Sequence, residues 1–182
     1  MELSDAMSSF QHEQGPLTRL LADDHRRLER LLHEAVQPGK QVDQALYDQF
    51  RAGLLRHIGI EEKILLPAAQ RLSGGESLAI APKLRLDHGA IASLLMPTPR
   101  GGILETLCTI LDQHNLLEEG SDGLYETCER LAGDECDQLI ARVLAAPELS
   151  VIPHSDTPAV MGAVQRAVSR AGYTLSTELS PS

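Results

Sequence analysis

Aromatic side chains are scarce, at 3% of the chain, and tryptophan is absent. A core without large rings must be aliphatic, which suits packed helices better than a sandwich or barrel built on aromatic and β-branched pairs. Positive charge is also in short supply: 16 Lys and Arg face 26 Asp and Glu, for a formal net charge of -10. That balance argues against a nucleic-acid partner, whose phosphates are bound by an excess of Lys and Arg, and against anionic membrane surfaces. No apolar run reaches the roughly 18 residues of a spanning helix. Residues 1–14 lack the basic region and apolar stretch of a signal peptide, so the cytoplasm is the expected compartment. Cysteine is limited to Cys108, Cys128 and Cys136, with no Cys-x-x-Cys spacing, and free thiols in a reducing compartment are expected.

What the chain does have is leucine at helical spacing, over a length of 182 residues that suffices for one domain with a real core. Residues 1–15 read as a flexible lead ending in Gly15-Pro16, with Pro16 in the first turn of a helix. That helix covers 17–36 on the stripe Leu21, His25, Leu28, Leu32. A second, 43–72, carries Phe50, Leu54, His57, Glu61, Ile64 and Ala68 on one face, with a kink expected at Pro67. A third, starting near Ser77 or at Pro82 and ending before Pro97, has the stripe Ile80, Leu84, His88, Ile91, Leu95. The fourth shows Leu104, Leu107, Leu111, His114 and Glu118; Gly120-Ser121-Asp122-Gly123 should break it, with Ser121 or Asp122 capping a continuation to Leu131. Beyond Gly133 a short helix (134–146), a linker (147–158), an amphipathic helix (159–171) and a disordered end (174–182) are expected. The organisation is thus all-α: a four-helix bundle over 16–133, antiparallel and up-down because the connections are short, and a helical extension with a tail over 134–182. The extension is expected to pack on the bundle or on a second subunit or protein partner.

The stripes carry an internal repeat. His25 and then His57-x-x-x-Glu61 in one half answer to His88 and then His114-x-x-x-Glu118 in the other. Any one of these histidines would more often be a satisfied core residue, and an isolated His-x-x-x-Glu is commonly a solvated helix pair. Four histidines on four successive apolar stripes, with the two pairs on the second and fourth, are harder to dismiss. Burying a carboxylate costs several kcal/mol, on the order expected for an unpaired charge, unless it is paired or binds a metal. Two divalent cations would balance the set, each with two terminal histidines and both glutamates bridging. Imidazole and carboxylate suit Fe, Mn and Zn, and no cysteine falls on these stripes to favour a softer metal. His12, His33 and His154 lie outside the pattern.

The order His25, His57-x-x-x-Glu61, His88, His114-x-x-x-Glu118, with the flanking Asp24-His25-Arg26-Arg27-Leu28 and Glu61-Glu62-Lys63-Ile64-Leu65-Leu66-Pro67, resembles the HHE cation-binding branch of the hemerythrin-like proteins. The resemblance covers roughly residues 17–131. It implies an up-down bundle around a non-haem di-iron centre, oxo- or hydroxo-bridged, with His25 and His57 on one iron, His88 and His114 on the other, and Glu61 and Glu118 bridging. Mn or Zn would be the lesser alternatives. Oxygen-carrying hemerythrins have a fifth histidine one turn from that of the third helix; here those places hold Leu84 and Ala92. Neither metal would then be saturated by protein, which argues against reversible oxygen carriage. The expected ligand is a small oxidant: dioxygen, peroxide or nitric oxide. The readings are an enzyme decomposing peroxide or nitric oxide, a non-catalytic oxygen, redox or iron sensor, and a structural zinc bundle. Tyr125 returns to the face of His114; a core tyrosine is the expected reading, and a redox-active or hydrogen-bonding residue near the site is the alternative.

Overall fold

The computed structural model describes residues 14–176. All of the predicted lead except Gln14 and Gly15 lies outside that range, as does 177–182 of the predicted tail. The elements in order are α1 (Pro16–Ala35), α2 (Gln44–Ile60), a π-helical turn (Glu61–Leu65), α3 (Leu66–Leu72), α4 (Ala81–Leu94), α5 (Gly101–Glu119), α6 (Leu124–Ala132), a 3-10 turn (Gly133–Glu135), α7 (Cys136–Leu144) and α8 (Pro158–Arg170). None of the helices among the described residues is long and apolar enough to cross a membrane.

The buried apolar residues form two clusters with a polar layer between them. One holds Leu21, Ile60, Leu65, Leu84 and Leu124; the other holds Leu28, Leu54, Ile91, Leu107 and Ile110. Followed along the chain, α1 leaves the first cluster at Leu21 and enters the second at Leu28, α2 returns from Leu54 to Ile60, α4 goes from Leu84 to Ile91, and α5 comes back from Ile110. That alternation is the up-down antiparallel bundle. His25, His57, His88 and His114 each fall at the crossing, so one histidine per helix lands in the polar layer.

Local chemistry sets the ends and the close approaches. Pro16 occupies the first turn of α1, where its missing N–H costs nothing. The neighbouring donors of Leu17 and Thr18 are met by the carboxylate of Glu129 from α6, at 3.0 and 3.3 Å, an anion at a helix N-terminus. Asp43 caps α2 by accepting from the N–H groups of Ala45 and Leu46. Gly53 lets α1 and α2 meet closely, since a Cβ there would come within 2.7 Å of Leu28 Cδ2. The disturbance expected at Pro67 takes the form of the π turn, in which Leu66 N–H donates to Glu61 O across five residues. Pro67 has no N–H to give to the carbonyl of Lys63, and its ring crowds that carbonyl, so the helix widens by one residue per turn just before it.

Three expectations are corrected. Neither Ser121 nor Asp122 caps the continuation: Gly123 is the N-cap of α6 and no side chain bonds there. Asp122 sits in the left-handed region at φ 58 and donates its N–H to Glu126 instead. The stretch 147–158 is bound to the bundle rather than free: Arg51 Nη2 donates to Ile152 O at 3.1 Å, Ser155 N–H to Met96 O at 3.0 Å, and Thr98 N–H to Asp156 Oδ1 at 2.9 Å. The start of the predicted disordered end is also held, with Ser176 N–H donating to Thr106 Oγ1 at 2.9 Å. α8 lies on α4, and its Val164 and Val168 join the second apolar cluster.

Candidate metal centre

All six residues predicted as ligands are buried in the polar layer. Glu61 and Glu118 are wholly buried, and the histidines range from 1% exposed at His57 to 7% at His25. They converge as two groups: His25, His57, Glu61 and Glu118, then Glu61, His88, His114 and Glu118, with one donor atom from each residue within 4.8 Å of the others. Both glutamates belong to both groups, and each divides its oxygens between them. Glu61 turns Oε1 to His57 Nε2 at 3.1 Å and Oε2 to His88 Nε2 at 3.1 Å. Glu118 turns Oε2 to His25 Nε2 at 3.4 Å and Oε1 to His114 Nε2 at 2.9 Å.

All four candidate histidines present Nε2 inward, and in three of them a carboxylate holds the opposite nitrogen. Nδ1 of His25 meets Glu119 at 2.6 Å, that of His57 meets Asp24 at 2.8 Å, and that of His88 meets Glu62 at 2.6 Å. The fourth, His114 Nδ1, faces Asp87 Oδ2 at 3.6 Å, an ionic contact rather than a hydrogen bond. The pattern is twofold: Asp24 and Asp87 each precede a histidine and serve the next one along, while Glu62 and Glu119 each follow a candidate bridge and serve the other half. Sequence reasoning assigned none of these four a role. The signal was there in the repeated Asp-His and His-x-x-x-Glu-Glu, but the partnership joins different helices. Carboxylates placed behind imidazoles fix the tautomer and raise donor strength at a metal. Asp24→Asn or Glu62→Gln is expected to weaken metal binding about 10- to 100-fold, read by competition with a chromophoric chelator.

Whether the donors fit a cation can be read from their unmet valences. Glu61 Oε2, His88 Nε2 and Glu118 Oε1 are buried without a hydrogen-bond partner among the described residues, although His88 Nε2 lies 3.1 and 3.6 Å from the two oxygens. Donor atoms gathered in a buried layer with hydrogen-bond valences left unmet suit a metal ion, and such a set would be costly without one.

Burial alone would push the imidazoles down and the carboxyls up, but the cluster does the reverse. Against burial, the charge of Glu61 and the bonds of Asp24 and Glu61 push His57 up to about 10. Contacts with Glu118, Glu61 and Glu62 push His88 to about 10, and Asp87 and Glu118 push His114 to about 9. His25 is likewise raised, by Glu118 and Glu119. Despite their burial, the surrounding imidazoles lower Glu61 and hold Glu118 well below the usual carboxylate range. Groups raised on folding stabilise the chain fully below the unfolded imidazole value near 6.5, and that stabilisation is lost as pH climbs through the folded values. The thermal midpoint of the metal-free chain, followed by circular dichroism with chelator present, is therefore expected to fall between pH 6.5 and 10. With metal bound, no proton is needed on these nitrogens and the fall should vanish.

The structure adds one residue to the layer. Tyr125, expected as a core tyrosine with a redox-active or hydrogen-bonding residue near the site as the alternative, is wholly buried, and its hydroxyl contacts His25, His57, Glu61 and Glu118. Of the three histidines given no role, His12 lies outside the described residues and His33 is exposed. His154 sits at the surface of the bundle, 2.8 Å from Gln44 Nε2 and 3.3 Å from Met96 O.

Compared with known proteins, residues 17–121 match the family model of the hemerythrin HHE cation-binding domain, more than half of the chain. Neither the curated proteins nor the solved structures compared with it gave a match.

Proposed function

The chain belongs to the hemerythrin HHE cation-binding family, and on that footing we propose that its core holds two iron ions and binds or turns over a small oxidant: dioxygen, peroxide or nitric oxide. His25 and His57 would hold one ion, His88 and His114 the other, with Glu61 and Glu118 between them. The observation that carries this reading is the membership of both glutamates in both four-donor groups, because carboxylates that offer one oxygen to each side are what a cation pair requires. A donor set of imidazole and carboxylate favours iron over softer metals. Bound iron would supply electron transfer and polarisation of the oxidant.

The chain's own contribution is to hold and shield. Asp24, Glu62 and Glu119 lock three of the imidazole rings from behind, and the aliphatic clusters on either side keep bulk water from the layer. A cavity of about 300 Å³ between α1, α2 and α5 has His25 in its wall, along with Leu28, Phe50, Leu54, Leu104 and Leu111. Its mostly apolar lining suits the approach of a small neutral molecule. The test is metal analysis of protein purified without added metal. Two irons per chain, with oxygen evolution or nitric oxide loss catalysed by the loaded protein, would support the proposal; a colourless protein filled with zinc would overturn it.

A specific contact favours a sensor as the second reading. Lys83 Nζ donates to Asp87 Oδ1 at 2.6 Å and also to Ala171 O at 3.0 Å, just past the end of α8, while the other oxygen of Asp87 faces His114. Three side chains thus join one candidate metal position to α8, a physical route by which occupancy could bias the docking of that helix. Oxidant-dependent protease cleavage within α8, without turnover, would select this reading. Lys83→Met is expected to abolish the dependence while leaving the metal content unchanged.

A further inference from the structure

The hydroxyl oxygen of Tyr125 lies 2.7 Å from Glu61 Oε1, 2.9 Å from His25 Nε2, 2.9 Å from His57 Nε2 and 3.1 Å from Glu118 Oε2. Hydrogen bonding accounts for most of this crowd but not all of it. With both imidazoles protonated, the hydroxyl accepts from His25 and His57 and gives its one proton to Glu61, which leaves Glu118 Oε2 at 3.1 Å with no proton between it and the phenol oxygen. The spacing is that of a coordination shell. Around an ion with donors at about 2.1 Å, adjacent donors at right angles stand about 3.0 Å apart. An oxygen at that distance from four donors at once stands at the apex above them. The second group has no such counterpart, since its inward atoms Glu61 Oε2, His88 Nε2 and Glu118 Oε1 remain without partners among the described residues.

The chain is built to bring this side chain back. A Cβ on Gly123 would meet Glu118 O at 2.5 Å and Gly120 O at 2.7 Å, so the turn folds directly onto the end of α5. α6 starts at once, and Tyr125, its second residue, faces the layer. This residue lies outside the 17–121 match to the family model, so family membership by itself says nothing of it.

We infer that Tyr125 is a fifth protein ligand of the ion held by His25, His57, Glu61 and Glu118, bound through its phenolate oxygen. The inference rests on the two-cation reading above. On binding, the phenol O–H bond breaks, an oxygen–metal bond forms with both electrons from oxygen, and the proton leaves to solvent; nothing is oxidised or reduced. The two positions would then differ in protein donors, five at the first and four at the second.

Iron(III) is the probe, because phenolate bound to it absorbs in the visible by oxygen-to-metal charge transfer, which imidazole and carboxylate do not supply. The iron(III)-loaded full chain is expected to show such a band and, when excited in it, the resonance Raman ring modes of a phenolate. Both should be lost in Tyr125→Phe. The other two tyrosines cannot substitute: Tyr47 is buried in the second apolar cluster and Tyr173 lies beside Lys83. Should the variant fail to fold, the Raman modes of the unaltered chain decide alone. Two bound irons without phenolate modes, or phenolate modes that survive in Tyr125→Phe, would overturn the inference while sparing the two-cation reading. A chain that takes up no iron would overturn both.

Discussion

Glu118→Gln is expected to empty both metal positions at once, taking bound iron from two per chain to well below one, because this residue belongs to both donor groups. His57→Gln, by contrast, touches only the first group and should leave about one ion in place. The amide keeps the volume of the carboxylate, so the wholly buried site suffers no cavity. What it loses is the charge, and with it one anionic donor for each ion. The same change withdraws the contacts that raise His25, His88 and His114, so the pH dependence of the metal-free protein should flatten. Metal analysis alongside far-ultraviolet circular dichroism reads both effects. A Glu118→Gln protein that still carries two irons would show that Glu118 is not shared between them.

The bundle and its polar layer were legible because each lies on one helix. His25 between Leu21 and Leu28, or His114 following Leu111, is a statement about spacing along one segment, and the 3.6-residue period carries it. What was not legible depends on how segments meet. Asp24 and Glu62 stood only as flanking residues of the motifs, with no role of their own, since the rings they orient, His57 and His88, arrive on other helices. Tyr125 could be placed on the correct face but not at the correct depth, because its approach is set by the turn at Gly120–Gly123 rather than by periodicity. The first half has no such turn. There the chain runs on through a π turn to Pro67, so the repeat seen in the histidines and glutamates stops at the two glutamates that end each motif.

The stretch before α8 has no period at all, which is why it read as a linker, and one of its attachments is a buried cation. Arg51, 2% exposed, donates Nε to Leu95 O at 3.0 Å, Nη1 to Asp48 Oδ1 at 2.9 Å and Nη2 to Ile152 O at 3.1 Å. It thereby meets the end of α4, its own helix and the approach to α8 with one planar group. Arg51→Met keeps the aliphatic stem and removes all three donors, leaving the buried carbonyl of Leu95 short of a partner and that of Ile152 without its tie to the bundle. Asp48 is 40% exposed and can turn to water, so the cost falls short of that for breaking a fully buried ion pair. About 2–3 kcal/mol is expected from the lost charged hydrogen bonds, a fall in thermal midpoint of roughly 5–10 °C for a chain of this size. Arg51→Lys should recover little, since a single ammonium cannot reach three acceptors laid out for a fork. Protease cleavage within 147–157 should rise in step with the destabilisation, while metal content holds. Full resistance to cleavage in Arg51→Met would mean that the segment is held by Ser155, Asp156 and the packing of α8 without it.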